Sequence, residues 1–271
     1  MWHIPPRDTH ALRDLYAELL AQAVTIPSPT TDCLCAAARR AGVSVAIGVN
    51  EVNAEASGST LYNTLLYIGA DGCLLGKHRK LVPTAGERLV HGQGDGSGLR
   101  VQTLPIGRLG GLICWENYMP LARYALYAEG IQLYVAPTWD CGEPWLSTLR
   151  HIAKEGRVYV VGCCSAMRTA DIPDRFPFKT KFLQGAGEWL NPGDSAIVHP
   201  DGKFLARPVR HEETILYAQV DLRQVHGPRW QLDVAGHYAR PDVFTLTVHR
   251  ANRPLVQTFT EGKDTEEAET S

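Results

Sequence analysis

Thr64-Leu65-Leu66-Tyr67-Ile68-Gly69-Ala70-Asp71-Gly72-Cys73-Leu74-Leu75-Gly76 reads as two short apolar strands around an Asp-Gly turn, and the arrangement returns later in the chain. Asp-Gly accepts the positive φ angles that a tight hairpin requires. In the later copy, Ala196-Ile197-Val198 and Lys203-Phe204-Leu205 flank Asp201-Gly202. Upstream of each hairpin stand a helix and a β-rich run. The first set is residues 31–40, stopped at Gly42, then Val43-Ser44-Val45-Ala46-Ile47-Gly48-Val49. The second is residues 145–155, stopped at Gly156, then Val158-Tyr159-Val160-Val161. Such short, β-branched runs suit buried strands. Two halves that each supply helix and sheet predict an α/β fold of two sheets packed face to face with helices outside. Residues 168–192, rich in Pro, Gly and aromatics, separate the second half from the first in pattern and read as a long loop.

The later half also has a front end. Arg108-Leu109-Gly110-Gly111-Leu112-Ile113 reads as a strand entering Cys114, residues 118–129 as a helix stopped by Gly130, and residues 131–136 as a strand ending in Pro137-Thr138-Trp139-Asp140. The earlier half opens instead on a polar stretch and the helix-like residues 11–23. The repeat therefore predicts that a strand–helix–strand of the first half is missing.

The 271 residues, 44% apolar and 21% charged, describe a globular chain with material for one large domain. A formal net charge of −2 argues against a general nucleic-acid-binding surface. The sequence has no apolar run long enough to span a bilayer, and its start lacks the features of a signal peptide, so the expected location is cytoplasmic with no membrane partner. The seven cysteines form an odd set (Cys33, Cys35, Cys73, Cys114, Cys141, Cys163 and Cys164) with no zinc-ligand spacing. They predict neither a disulfide framework nor a metal site. A redox role for adjacent Cys163 and Cys164 has no resolving-thiol motif behind it.

Cys114 stands where a strand gives way to a helix, and a helix N-terminus favours the thiolate, which is the nucleophilic form. Gly110 and Gly111 before it permit close backbone approach, and polar Glu116 and Asn117 follow. Lys80 closes the basic run Lys77-His78-Arg79-Lys80 after the first hairpin. A cation beside Cys114 would stabilise both a thiolate and negative charge developing on a substrate. The other three basic residues read as a solvated face. Glu87, in the same loop as Lys80, is placed to orient that lysine or to move a proton.

Gly76-Lys77-His78-Arg79-Lys80-Leu81-Val82-Pro83-Thr84 with Glu87-Arg88-Leu89 resembles the lysine motif of nitrilases, and Gly110-Gly111-Leu112-Ile113-Cys114-Trp115-Glu116-Asn117 resembles their nucleophile motif. Pro137-Thr138-Trp139-Asp140, Asn191-Pro192-Gly193-Asp194-Ser195-Ala196 and His237-Tyr238-Ala239-Arg240-Pro241-Asp242-Val243-Phe244 are similar to further blocks of that family in the same order. The resemblance implies the four-layer α-β-β-α sandwich of the nitrilase superfamily. It implies a carbon–nitrogen hydrolase domain over residues 1–254, incomplete at its N-terminus, followed by an acidic tail at 255–271 that reads as disordered. It also implies that Cys114 is the nucleophile, Lys80 the catalytic lysine and Glu87 an additional active-site glutamate.

The family's general-base glutamate sits in a Phe-Pro-Glu motif after an early strand, and no such motif precedes Lys80 here. Glu18 and Glu51 stand in other contexts. The expectation is that the native product begins further upstream or that the chain is a fragment. The implied reaction takes an organic nitrile and water to a carboxylic acid and ammonia through a cysteine thioimidate and thioester, without metal or organic cofactor. Trp115 and Trp139 are candidate walls of the substrate pocket, which would suit an aromatic or arylaliphatic nitrile. A homo-oligomer, dimer or spiral, is also implied. Alternatives are an amidase or carbamoylase of the same superfamily, or a catalytically inactive oligomerisation module.

Overall fold

A computed structural model describes residues 9–251 of the chain; the acidic tail expected at 255–271 lies outside them. In order, the elements are α1 (Thr9–Gln22), α2 (Pro29–Ala41), β1 (Val45–Val52), β2 (Leu61–Ile68), β3 (Leu74–Arg79), β4 (Gln102–Leu104), β5 (Gly107–Gly111), α3 (Pro120–Ala128), β6 (Leu133–Thr138), α4 (Glu143–Gly156), β7 (Tyr159–Cys164), β8 (Met167–Arg168), α5 (Pro177–Phe182), β9 (Trp189–Asn191), β10 (Gly193–Val198), β11 (Phe204–Arg210) and α6 (Arg223–Arg229).

The repeat read from the sequence is a repeat of topology. One sheet is the antiparallel run β1-β2-β3, and the other has the order β11-β10-β7-β6-β5-β4. α2-β1-β2-β3 matches α4-β7-β10-β11, with both hairpins turning at Asp-Gly. Gly72 has φ +80°, and a side chain there would meet the Cys35 carbonyl oxygen at 2.6 Å, so the hairpin tip packs directly on α2. The halves differ beyond the shared strands. β7 is followed by parallel neighbours β6 and β5, whereas among the described residues the corresponding edge of β1 carries only a bridge from Val24.

Side-chain alternation sorts the strands into four layers. On β2, Leu66 and Ile68 face outward and pack with Leu34 and Ala38 of α2. Leu65 and Tyr67 face the other way, against Leu104, Leu109, Leu133 and Tyr159 of the second sheet. The outer face of that sheet buries Tyr134, Ala136, Val160 and Ala196 under Leu126 of α3 and Trp145, Leu149 and Ile152 of α4. Each large apolar side chain so buried contributes roughly 1.5–3 kcal/mol. The α-β-β-α sandwich is thus held by three apolar interfaces, one per pair of layers.

Two readings are corrected. Residues 168–192 are not a plain loop, because they contain α5 and the small sheet β8-β9. The Arg168 guanidinium lies 4.8 Å from the Trp189 ring centre, so the aromatic content serves local pairing. The basic run is not a solvated face either: β3 continues through Arg79, and period-two alternation divides the run between two faces. Lys77 and Arg79 hold buried Glu51, with Lys77 Nζ and Arg79 Nη2 each 2.5 Å from Oε1, while His78 and Lys80 point between the sheets and are fully buried.

Candidate active site

The parallel strands β5 and β6 end on the same side of the second sheet, and the segments that follow them carry Cys114 and Trp139. Loops beyond the carboxyl ends of parallel strands are where α/β proteins assemble sites. β5 can lie this close to β6 because of Gly111, where a Cβ would stand 2.0 Å from the Val135 carbonyl oxygen. Two residues further on the chain leaves the sheet at Ile113 and turns at Cys114, which has φ +54° and begins a single 3-10 turn over Cys114–Tyr118. A left-handed, non-glycine residue stores roughly 1–3 kcal/mol of strain, held only where neighbours over-determine it. Asn117 is one such neighbour: its Nδ2 donates to the Leu112 and Cys114 carbonyls at 3.0 and 2.8 Å, and its Oδ1 accepts from Tyr134 Oη at 2.8 Å.

Lys80 follows β3 directly. Its Nζ donates to Thr84 Oγ1 at 3.1 Å and forms a short ion pair with Glu87. Glu87 is buried and accepts three hydrogen bonds: Oε1 accepts from Asn63 Nδ2 at 2.9 Å, and Oε2 from Lys80 and from the Thr84 amide at 2.6 Å. Burial alone would raise its pKa, but the hydrogen bonds from Lys80, Thr84 and Asn63 outweigh it and leave the carboxyl below its ordinary value. His91 stands on the same turn, its amide donating to the Glu87 carbonyl at 2.8 Å and its Nε2 to Asn50 Oδ1 at 2.8 Å. Burial pushes the imidazole pKa down, and Lys80 adds to that shift while Glu87 opposes it, so His91 is neutral at pH 7.

Glu116 connects the two segments. Its carboxylate is buried and accepts from the Leu81 amide at 2.6 Å and from the Ile113 amide at 2.8 Å, so the residues next to Lys80 and Cys114 meet on one side chain. His78 Nε2 lies 3.1 Å from both carboxylate oxygens.

Trp115 and Trp139 are about half exposed, on the two loops beyond β5 and β6. Asp140 ties these loops together, accepting from Trp115 Nε1 at 2.8 Å and Tyr118 Oη at 3.2 Å. The loop beyond β5 thus carries a cysteine with a strained backbone, the two loops present accessible indoles, and Glu116 links the cysteine's turn to the segment of the buried lysine–glutamate pair. Among the described residues, no cluster of three or more His, Cys, Asp or Glu could hold a metal ion.

The carbon-nitrogen hydrolase family model matches residues 11–227, most of the chain. This protein belongs to the carbon–nitrogen hydrolases. Relatives of this hydrolase include an aliphatic nitrilase of Sinorhizobium fredii, 44% identical over 246 residues that cover 91% of this chain and 78% of the relative. A bifunctional nitrilase/nitrile hydratase of Lupinus angustifolius is 42% identical, over 83% of this chain and 64% of that protein. In fold, the hydrolase is similar to Nit3 of Saccharomyces cerevisiae, a member of branch 10 of the nitrilase superfamily, with a TM-score of 0.64 and 22% identity over 82% of this chain and 78% of the yeast one. No helix among the hydrolase's described residues is long and apolar enough to cross a membrane.

Sequence reasoning singled out Cys114, Lys80, Glu87, Trp115 and Trp139 and placed Glu87 to orient Lys80, as their ion pair does, but missed the side chains that link the separate segments. Glu116 was noted only as polar, His78 was read as surface, and Asp140 and His91 were given no role. The alternation of β3 would have signalled His78, since it shares a face with Lys80.

Proposed function

We propose that this carbon–nitrogen hydrolase is a nitrilase acting on an organic nitrile, with Cys114 as its nucleophile. The observation that carries the reading is Cys114 itself, a left-handed cysteine at a strand end, linked through Glu116 to the segment bearing Lys80. The names of its relatives favour nitriles over other carbon–nitrogen substrates.

In this reading the sulfur adds to the nitrile carbon and the thiol proton passes to the nitrogen, giving a thioimidate. Water adds to that carbon, ammonia leaves and a thioester remains. A second water forms the new C–O bond, the C–S bond breaks, and the carboxylic acid is released with the thiol restored. Lys80 stabilises charge on the substrate nitrogen, and Glu87, held ionised by its hydrogen bonds, receives and returns protons. The exposed indoles of Trp115 and Trp139 line the approach to Cys114 and suit an aromatic or arylaliphatic nitrile. The chain acts as a homo-oligomer on a small molecule and water, and needs no metal or organic cofactor. The bifunctional relative extends the reading to the amide as a second product, formed when the tetrahedral intermediate expels sulfur instead of ammonia.

The test is to incubate the purified chain with phenylacetonitrile or phenylacetamide and measure ammonia, acid and amide, with Cys114→Ala alongside. The reading predicts ammonia from the nitrile and its loss in the variant. Turnover of the amide alone would make the enzyme an amidase. Inertness of a folded wild-type chain toward both would favour the inactive, oligomerising alternative.

A further inference from the structure

A carboxylate in an apolar interior is costly unless its oxygens are fully used, and Glu116 uses both. Its partners are not a random set. The Leu81 amide follows Lys80 on the first sheet's side, and the Ile113 amide precedes Cys114 on the second sheet's side. His78, two residues before Lys80 on β3, gives Nε2 to the same carboxylate from 3.1 Å. The lysine segment is therefore gripped at two points, residues 78 and 81, and the nucleophile segment at one, all by a single side chain. Asn117 holds the other side of the Cys114 turn through the Leu112 and Cys114 carbonyls.

We infer that Glu116 is a positioning residue that registers the lysine of one sheet against the thiol of the other. The inference rests on the nitrilase reading for its kinetic consequences, but its geometric content does not. The sheets meet through side chains of several shapes, and apolar packing alone permits small slides between them. Glu116 is hydrogen-bonded to backbone on both sides of the interface, beside the residues whose separation decides the chemistry. A misplacement of about 1 Å at a reacting pair lowers turnover on the order of a hundredfold.

The experiment is a double-mutant cycle between Glu116→Gln and Lys80→Met, read first by the rate of Cys114 alkylation with iodoacetamide, which needs no substrate. Glu116→Gln is expected to slow alkylation about tenfold in the wild-type background, since it displaces the lysine proposed to stabilise negative charge at the reacting centre. In the Lys80→Met background it should change nothing further, because the cation it positions is gone. With nitrile substrate, kcat should fall about a hundredfold with KM nearly unchanged.

Glu116→Asp keeps the charge but is one methylene too short to reach both amides, and it should show the same non-additivity if the glutamine variant does not fold. Near-ultraviolet circular dichroism reports the folding of each. Independent, additive effects of the two substitutions would make Glu116 merely structural, and unchanged alkylation in a folded variant would overturn the inference outright. A wild-type chain inert toward nitriles would overturn the reaction assignment while leaving the alkylation cycle to decide the positioning role.

Discussion

Glu87 and Lys80 are buried as an ion pair, and the hydrogen bonds on Glu87 hold its pKa below the value near 4.5 that it has when unfolded. A carboxyl with a depressed folded pKa stabilises the fold fully above its unfolded value and loses that contribution as pH falls through the folded value. The wild-type chain should thus lose stability progressively below about pH 4.5. Urea midpoints measured from pH 7 to pH 3 should fall less steeply for Glu87→Gln than for wild type. Equal slopes would mean that Glu87 is not ion-paired in solution. At this scale the sequence was partly legible. Cys114 and Lys80 stood out because motif and chemistry agreed on them. His78 did not, because four consecutive basic residues look like a solvated patch until a strand is threaded through them and sends alternate members to opposite faces.

The elements were easier to read than their partners. Gly42 ends α2 with φ +64°, and the Asp71-Gly72 and Asp201-Gly202 turns mark both hairpins, since each needs a conformation that few residues adopt. The 3-10 turn at Cys114–Tyr118 was not legible; residues 118–129 read as one helix, whereas α3 starts only at Pro120, whose missing amide suits a first helical turn. Nor did propensity predict which strand edges would be left open. Val52 donates its amide to Val24 and Asn50 accepts from Val24, so even-numbered residues of β1 direct their backbone groups to the outer edge. Among the described residues nothing pairs with that edge before Asn50. Hydrogen exchange followed by NMR should find the amides of Ala46 and Gly48 exchanging fast while those of Ile47 and Val49, bonded to β2, are protected. Equal protection on both sides would show that a further strand covers this edge in solution.

On the scale of the molecule, the repeat gave the architecture, because two copies of one helix–hairpin pattern can bury their apolar faces only against each other. What the repeat could not convey is how the halves are joined at their polar points. Those points depend on single side chains such as Glu116, which reaches from one sheet's segment to the other, and Asp140, which ties the two loops beyond β5 and β6. Cys114 is the proposed nucleophile beside which these connections lie, and the most direct measurement is of its covalent intermediate. Acid-quenching the chain during turnover of phenylacetonitrile, then mapping its peptides by mass spectrometry, should find the substrate-derived acyl group on the peptide containing Cys114 and on no other cysteine. Nitrile consumption with Cys114 unmodified, and undiminished in Cys114→Ala, would contradict it.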